Sequence, residues 1–308
     1  MEAQDVLTHL RAHYPYRFSD AVFLRDGGSR SYRVDGPDET FFFRDVKPAF
    51  ADTARTAADI QVYLHNQGVS VPRILATTDG RPYVGITEPD GPHLTVLYEH
   101  IAGTEPDMEQ DAEQAGDLVG RMHRAMRDYQ GPLPTRDKPF FIDRYLAQQQ
   151  AMGYPQAGID AFRQHGEHLW NRVCELPRGF CHGDLHVGNL HRTDNGDLYI
   201  LDFDTACRAF PLFDIALVCN ATDYFTYEAD GYERTAARLE RFLSGYTKHL
   251  PVTEADRAAV FDLLAIYHYQ LQATILELYG LDCVDREFLD RQYDWLMRWE
   301  DTCSTMRG

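Results

Sequence analysis

The stretch Phe180-Cys181-His182-Gly183-Asp184-Leu185-His186-Val187-Gly188-Asn189-Leu190-His191-Arg192-Thr193-Asp194-Asn195-Gly196-Asp197-Leu198-Tyr199-Ile200-Leu201-Asp202-Phe203-Asp204 decides how this chain is read. Within it, residues 190–193 and 198–201 are short strand-like runs. They are separated by Asp194-Asn195-Gly196-Asp197, and Asn-Gly between apolar runs is the strongest short-range hairpin signal. A hairpin returns its ends to one place. Asp184 and Asn189, just before the first run, are therefore expected beside Asp202, just after the second. Two carboxylates and an amide oxygen are hard ligands that suit Mg²⁺ and have no evident packing role.

His182-Gly183-Asp184, then Asn189 five residues after Asp184, then Asp202-Phe203-Asp204, resembles the catalytic and metal-binding segments of the aminoglycoside phosphotransferase and choline kinase-like family. That family is related to the protein kinases, and the separation 202 − 184 = 18 agrees with the kinase arrangement. The resemblance implies an α+β, bilobal protein-kinase-like fold, with a small antiparallel-sheet lobe and a mainly helical large lobe. It also implies ATP and Mg²⁺ as cofactors. In the kinase template one Asp takes the acceptor hydroxyl proton, while an Asn and a further Asp hold the metal. By this match Asp184 is the catalytic base, and Asn189 and Asp202 are the metal ligands.

A rival reading uses the same residues. Asp184-Leu185-His186 also matches the Asp-x-His that opens a two-metal phosphoesterase site. Such a site needs further motifs downstream, but Gly188-Asn189-Leu190-His191 is a broken version of one. Gly116-Asp117-Leu118-Val119-Gly120-Arg121 approaches another, yet it lacks the second Asp and precedes the first motif. The hydrolase reading is set aside.

The 308 residues carry 48 acidic against 30 basic side chains, a formal net charge of −18. Nucleic acid and anionic membranes would be repelled, so neither is expected as a partner. With 44% hydrophobic residues the chain can bury a large core, and two lobes are expected; the family resemblance implies their bounds, 1–98 and 99–308. Six scattered cysteines without a Cys-x-x-Cys pair suit buried thiols in a reducing cytoplasm. Residues 1–14 are too charged for a signal peptide, and no apolar run approaches the ~18 residues a membrane span needs. The expected location is cytoplasmic. Nothing in the sequence speaks to oligomeric state.

Outward from the hairpin, Val6, Leu7, Leu10 and Tyr14 have helical spacing. Residues 21–24, 31–34 and 40–43 read as an antiparallel meander, turning at Asp26-Gly27-Gly28 and Asp35-Gly36-Pro37. By the family resemblance this is the nucleotide-covering sheet, with Ser29 over the ATP phosphates and Arg44 on them. Lys47 competes for that role. The usual partner, a Glu on the next helix (50–67), is replaced by Ala57, with Asp59 the nearest acid. Residues 69–75, around Pro72, resemble the entry to a fourth strand, and 94–98 the last strand. The resemblance then sets the adenine edge against the main chain of Glu99 and Ile101.

Beyond residue 108 the period is helical, and a helix is expected at 156–173. His123 reads as a core residue, and Asp214 as a helix N-cap that braces the catalytic loop. Asp204 is expected to cap the next turn or join the metal. Thr253 with Asp256 reads as a capping box. The C-terminal helices interleave acids with tyrosines, among them Asp223, Tyr224, Tyr227, Glu228, Asp230, Tyr232, Glu277, Tyr279, Asp282 and Asp285. These are read either as an acceptor site for an amine-bearing alcohol or as a solvated acidic face. The expected activity is γ-phosphoryl transfer to the hydroxyl of a small molecule. The alternatives are a bacterial Ser/Thr protein kinase of the stress-response type and a non-catalytic nucleotide-binding module.

Overall fold

The structure is a computed structural model and describes residues 1–307. The chain runs α1 (Ala3–His13), β1 (Asp20–Asp26), β2 (Ser29–Asp35), β3 (Thr40–Val46), α2 (Ala51–Asn66), β4 (Val84–Glu88), β5 (Gly91–Glu99) and α3 (Ala112–Ala125). It continues through α4 (Arg144–Ala151), α5 (Gln156–Val173), β6 (Gly179–Cys181), β7 (Leu190–Arg192), β8 (Leu198–Ile200), β9 (Cys207–Ala209), α6 (Pro211–Cys219), α7 (Gly231–Tyr246), α8 (Glu254–Tyr279) and α9 (Arg286–Arg307). These elements gather into two compact units. The first comprises residues 1–106, 125–133 and 188–206, and the second holds 107–124, 134–187 and the chain from 207 onward. The units therefore interleave in sequence instead of meeting at one cut after residue 98.

In the first unit the five-stranded antiparallel sheet has the order β1-β2-β3-β5-β4. Side chains alternate between its faces with a period of two. Tyr32, Val34, Phe41 and Phe43 pack with Val6, Leu7 and Leu10 of α1 into one core cluster. Val46, Leu94, Val96 and Tyr98 face the other way, onto Ala54 of α2. Arg44 lies opposite Val96 and Phe42 opposite Tyr98, so both belong to this second face. Residues 69–75 form no strand. The bridge between Ile74 and Tyr98, the bond from Leu75 N–H to Leu97 O (2.8 Å) and that from Glu99 N–H to Arg73 O (2.9 Å) tie them to β5. Pro72 has no N–H to extend a ladder, and its carbonyl accepts Gln61 Nε2–H at 3.3 Å.

The expected hairpin is present. β7 and β8 pair Leu190 with Ile200 and Arg192 with Leu198. Gly196 supplies the positive φ of the turn, +87°.

The second unit is mostly helical. The Thr253–Asp256 capping box opens α8, with Thr253 Oγ1 accepting Asp256 N–H at 3.1 Å and Asp256 Oδ2 accepting Thr253 N–H at 2.8 Å. Helices α3 and α7 touch backbone to backbone at Gly116 and Gly245, where an added Cβ would lie 1.9 Å from the carbonyl oxygens of Phe242 and Glu113. The ribbon β6–β9 pairs Cys181 with Cys207 and sets residues 182–184 at its end. Cys181, Cys207, Cys219 and Cys303 are buried thiols as expected, whereas Cys174 is half-buried and Cys283 exposed.

Candidate active site

A cavity of about 360 Å³ lies wholly within the first unit. Its walls include Arg44, Glu99, Ile101, Asn189 and Asp202, five of the seven residues singled out from sequence. Phe42 and Leu201 give it apolar surface, and Tyr98 and Gln61 add polar groups that the sequence reading missed. Tyr98 was concealed because its strand alternates between two buried faces, so periodicity does not separate core from cavity. The Glu99 carboxylate turns aside, accepting Arg73 N–H at 2.8 Å.

Arg44, not Lys47, reaches the cavity; Lys47 Nζ pairs with Asp26 Oδ1 at 2.5 Å. The guanidinium is held on three sides. Nη1–H donates to Asp204 Oδ1 at 3.2 Å, Nη2–H to Asp204 Oδ2 at 2.5 Å, and Nε–H to Ser29 Oγ at 3.2 Å. Asp202 Oδ1 lies 3.9 Å from Nη1. Burial alone would lower the Arg44 pKa, but Tyr98, Asp204 and Asp202 outweigh it and the net direction is up. Burial pushes the Tyr98 phenol up to about 12, against the pull of Arg44. Ser29, expected over the phosphates, accepts Arg44 Nε–H. Asp204, expected to cap a turn or ligate metal, is the partner of Arg44. Asp59 is exposed and faces Arg55, so it does not replace the missing helix Glu.

At the foot of the hairpin, Leu201 N–H donates to Asn189 O at 2.9 Å, which holds Asn189 and Asp202 together as the turn chemistry predicted. Asp202 is the only described non-glycine residue with positive φ (57°, ψ 75°). Left-handed backbone of this kind costs an L-residue roughly 1–2 kcal/mol and concentrates at functional sites. Its Oδ1 is buried and accepts no hydrogen bond, with only the Arg44 guanidinium near it at 3.9 Å, and a buried polar atom in that state suits a closer partner such as a metal cation. Asp202 and Asn189 thus offer hard oxygen donors that fit a divalent ion.

Asp184 belongs to the second unit, four residues before the chain passes into the first. Its main-chain oxygen accepts His186 N–H at 2.9 Å, and its carboxylate lies 3.8 Å from His186 Nε2. Tyr224 and Tyr267, ring centroids 5.5 Å apart, face it. Burial first, then Tyr224 and after it the Asp184 charge, raise the pKa of Tyr267; burial leads the rise at Tyr224 as well, with Asp184 adding to it. Both phenols stay protonated and can donate. The preceding loop is pinned by Asp214, whose carboxylate accepts His182 N–H (2.7 Å) and Gly183 N–H (2.9 Å) and contacts His123 Nε2 (2.9 Å). Asp214 is the fourth residue of α6, not its N-cap. The expected brace is present, but it is made by the side chain reaching into the core.

Most of the expected acceptor-side acids have structural partners. Asp223 Oδ1 accepts the N–H groups of Phe225 and Thr226 at 2.8 and 2.6 Å, and Asp285 Oδ1 accepts Phe288 N–H at 2.8 Å. Glu228 and Asp230 pair with Arg234, and Glu277 pairs with Arg144 at 2.8 Å. Tyr232 stacks on Phe261 and Tyr227 bonds Thr302. Of that set, Tyr224 is the residue set beside Asp184.

The profile of the phosphotransferase enzyme family (APH) matches residues 20–258. Among curated relatives, an uncharacterised protein of Deinococcus radiodurans is 23% identical over 292 residues, 91% of this chain and 84% of that protein. A homoserine kinase of Rhodopseudomonas palustris is 28% identical over 218 residues, 65% of this chain and 61% of that enzyme. Among solved structures, a microcompartment-associated aminopropanol kinase superposes with TM-score 0.74 at 18% identity, covering 98% of this chain and 95% of the other. The amicoumacin kinase in complex with AMP-PNP, Ca²⁺ and Ami superposes with TM-score 0.74 at 20% identity, covering 99% and 94%. With more than half of its length matched by the profile, the chain belongs to the phosphotransferase enzyme family and is an enzyme that transfers phosphate to a hydroxyl.

Proposed function

We propose that this enzyme is an ATP- and Mg²⁺-dependent kinase that transfers the γ-phosphoryl group to the hydroxyl of a small, amine-bearing alcohol. The observation that carries the reading is the joining of Asn189 and Asp202 at the foot of the hairpin, on the wall of a cavity that also holds Arg44, Glu99 and Ile101. Adenine is read by the main chain of Glu99 and Ile101, and Arg44 neutralises phosphate charge. Ser29 supports that role from behind the guanidinium. Asn189 and Asp202 hold the divalent ion, which, when bound, neutralises charge on the β- and γ-phosphates. Among the described residues no three His, Cys or acidic side chains converge as a cage. A Mg²⁺ ion held by so few side chains would complete its shell with water and phosphate oxygens, as that ion usually does.

Asp184 accepts the acceptor's proton, and Tyr224 and Tyr267 orient that hydroxyl. An acceptor bearing an amine is supported by the homoserine kinases among the relatives and by the net charge of −18, which raises the local concentration of a cation. Among the described residues no helix is long and apolar enough to cross a membrane, and we place the enzyme in the cytoplasm.

The test is ATP consumption, with and without EDTA, against homoserine, aminopropanol, choline and aminoglycosides. EDTA-sensitive turnover with one of these is expected. Label transfer to protein alone would favour the protein kinase alternative, and nucleotide binding without turnover the non-catalytic one. A best acceptor that carries no amine would refute the amine requirement alone.

A further inference from the structure

We propose that Asp204 is the positioning residue of Arg44, supplying from the metal-ligand segment the carboxylate that protein kinases supply from a helix; this rests on the reading of Arg44 as the phosphate-binding cation. In the kinase template a basic residue on the third strand is held by a helix-borne Glu. Here the helix offers none. Ala57 is buried at 2% exposure, and Asp59 is exposed beside Arg55. Arg44 instead meets Asp204 end-on with both terminal nitrogens, at 3.2 and 2.5 Å, while Nε–H goes to Ser29 Oγ at 3.2 Å. A guanidinium has five N–H donors in a fixed fork. These contacts engage three of them; the other two hydrogens are on the terminal nitrogens, with Tyr98 and Asp202 close by.

The anchor is firm. Phe203, immediately before Asp204, is buried at 1% exposure, and the short turn Phe203–Thr205 packs against α2. The side chains are only 12% and 25% exposed, so the pair is sheltered from the solvent screening that weakens surface ion pairs. The consequence is a change of coupling. The cation is tied to the segment of Asp202, two residues from Asp204, and to α2 only through the packing of the turn Phe203–Thr205.

Nucleotide binding by titration calorimetry tests this with the wild type, Asp204→Asn, Arg44→Ala and the double variant, each in Mg²⁺ and in EDTA. Asp204→Asn is expected to weaken ATP binding by about tenfold, the scale of a lost charge-assisted hydrogen bond, in both conditions. It should add nothing to the loss caused by Arg44→Ala. Ser29→Ala, which releases Nε alone, should give a smaller loss in the same direction, and it serves as the readout should Asp204→Asn fail to fold. A loss confined to Mg²⁺ would make Asp204 a metal ligand, tighter binding would make the pair an inhibitory latch, and additive losses would uncouple the two residues. Each of these outcomes overturns the inference. Wild type that binds no nucleotide would overturn the parent reading as well, whereas wild-type binding with silent variants overturns this inference alone.

Discussion

The main-chain N–H of Gly183 donates to the buried carboxylate of Asp214 at 2.9 Å, which fixes the residue immediately before Asp184. His182 N–H donates to the same carboxylate, and His123 closes its other side. Burial would raise the Asp214 pKa, but the hydrogen bond and charge of His123, with the main-chain donors, reverse this and hold the group ionised. Asp214→Ala would leave two main-chain N–H groups and an imidazole without their acceptor inside the protein. We expect a loss of about 3–5 kcal/mol, the usual cost of breaking a buried pair from one side. Urea unfolding measures it, and a loss under about 1 kcal/mol would mean that the loop is held by something else.

Asp184→Asn keeps the shape of the side chain and removes its basicity. Nucleotide binding should be nearly unchanged while turnover falls by roughly 10²–10⁴, the typical share of a positioned base. Comparable turnover in the variant would remove Asp184 from the mechanism.

Asp202 combines a functional carboxylate with a left-handed backbone (φ 57°). Asp202→Gly should abolish turnover yet leave the melting temperature unchanged or higher, because glycine adopts that conformation freely. A drop of several degrees would show that the carboxylate holds the fold together and is not a strained functional group.

Two buried histidines of the second unit predict acid sensitivity. Burial lowers the His165 pKa from 6.5 to about 4, with Glu300 opposing and Arg172 and His168 reinforcing. Burial lowers that of His268 to about 3, with Gln292 opposing. Because the folded values lie below the unfolded one, the unfolded chain binds more protons between them. The stability contributed by neutral His165 and His268 is fully present above about pH 6.5 and declines as pH falls towards 4. The doubly substituted His165→Gln/His268→Gln protein should show a flatter melting temperature between pH 7 and 4.5 than the wild type. Parallel curves would refute the assignment.

For an acceptor of net positive charge, such as aminopropanol or an aminoglycoside, kcat/KM should fall as ionic strength rises, since a net charge of −18 attracts cations over a screened range, whereas zwitterionic homoserine should respond weakly. Glu277→Gln should leave KM for the acceptor unchanged, because that carboxylate is engaged by Arg144 and Gln148. Tyr224→Phe and Tyr267→Phe, beside Asp184, should raise it. The reverse ranking would move the acceptor site to the acidic surface.

The sequence by itself determined the elements whose cause is local. Asn195-Gly196 made the hairpin and with it the meeting of Asn189 and Asp202, Thr253 with Asp256 started α8, and apolar periodicity marked α5 at 156–173. Each rests on turn geometry, capping or periodicity within a few residues. Only the tertiary structure decided that Arg44 would take its partner from Asp204, 160 residues away, and that Asp214 would turn from its own helix end to the N–H groups of His182 and Gly183. It also decided that residues 188–206 would join the sheet-bearing unit. A carboxylate has the same chemistry wherever it stands in the chain. Which cation or N–H it meets depends on how separate elements pack, and no local pattern encodes that.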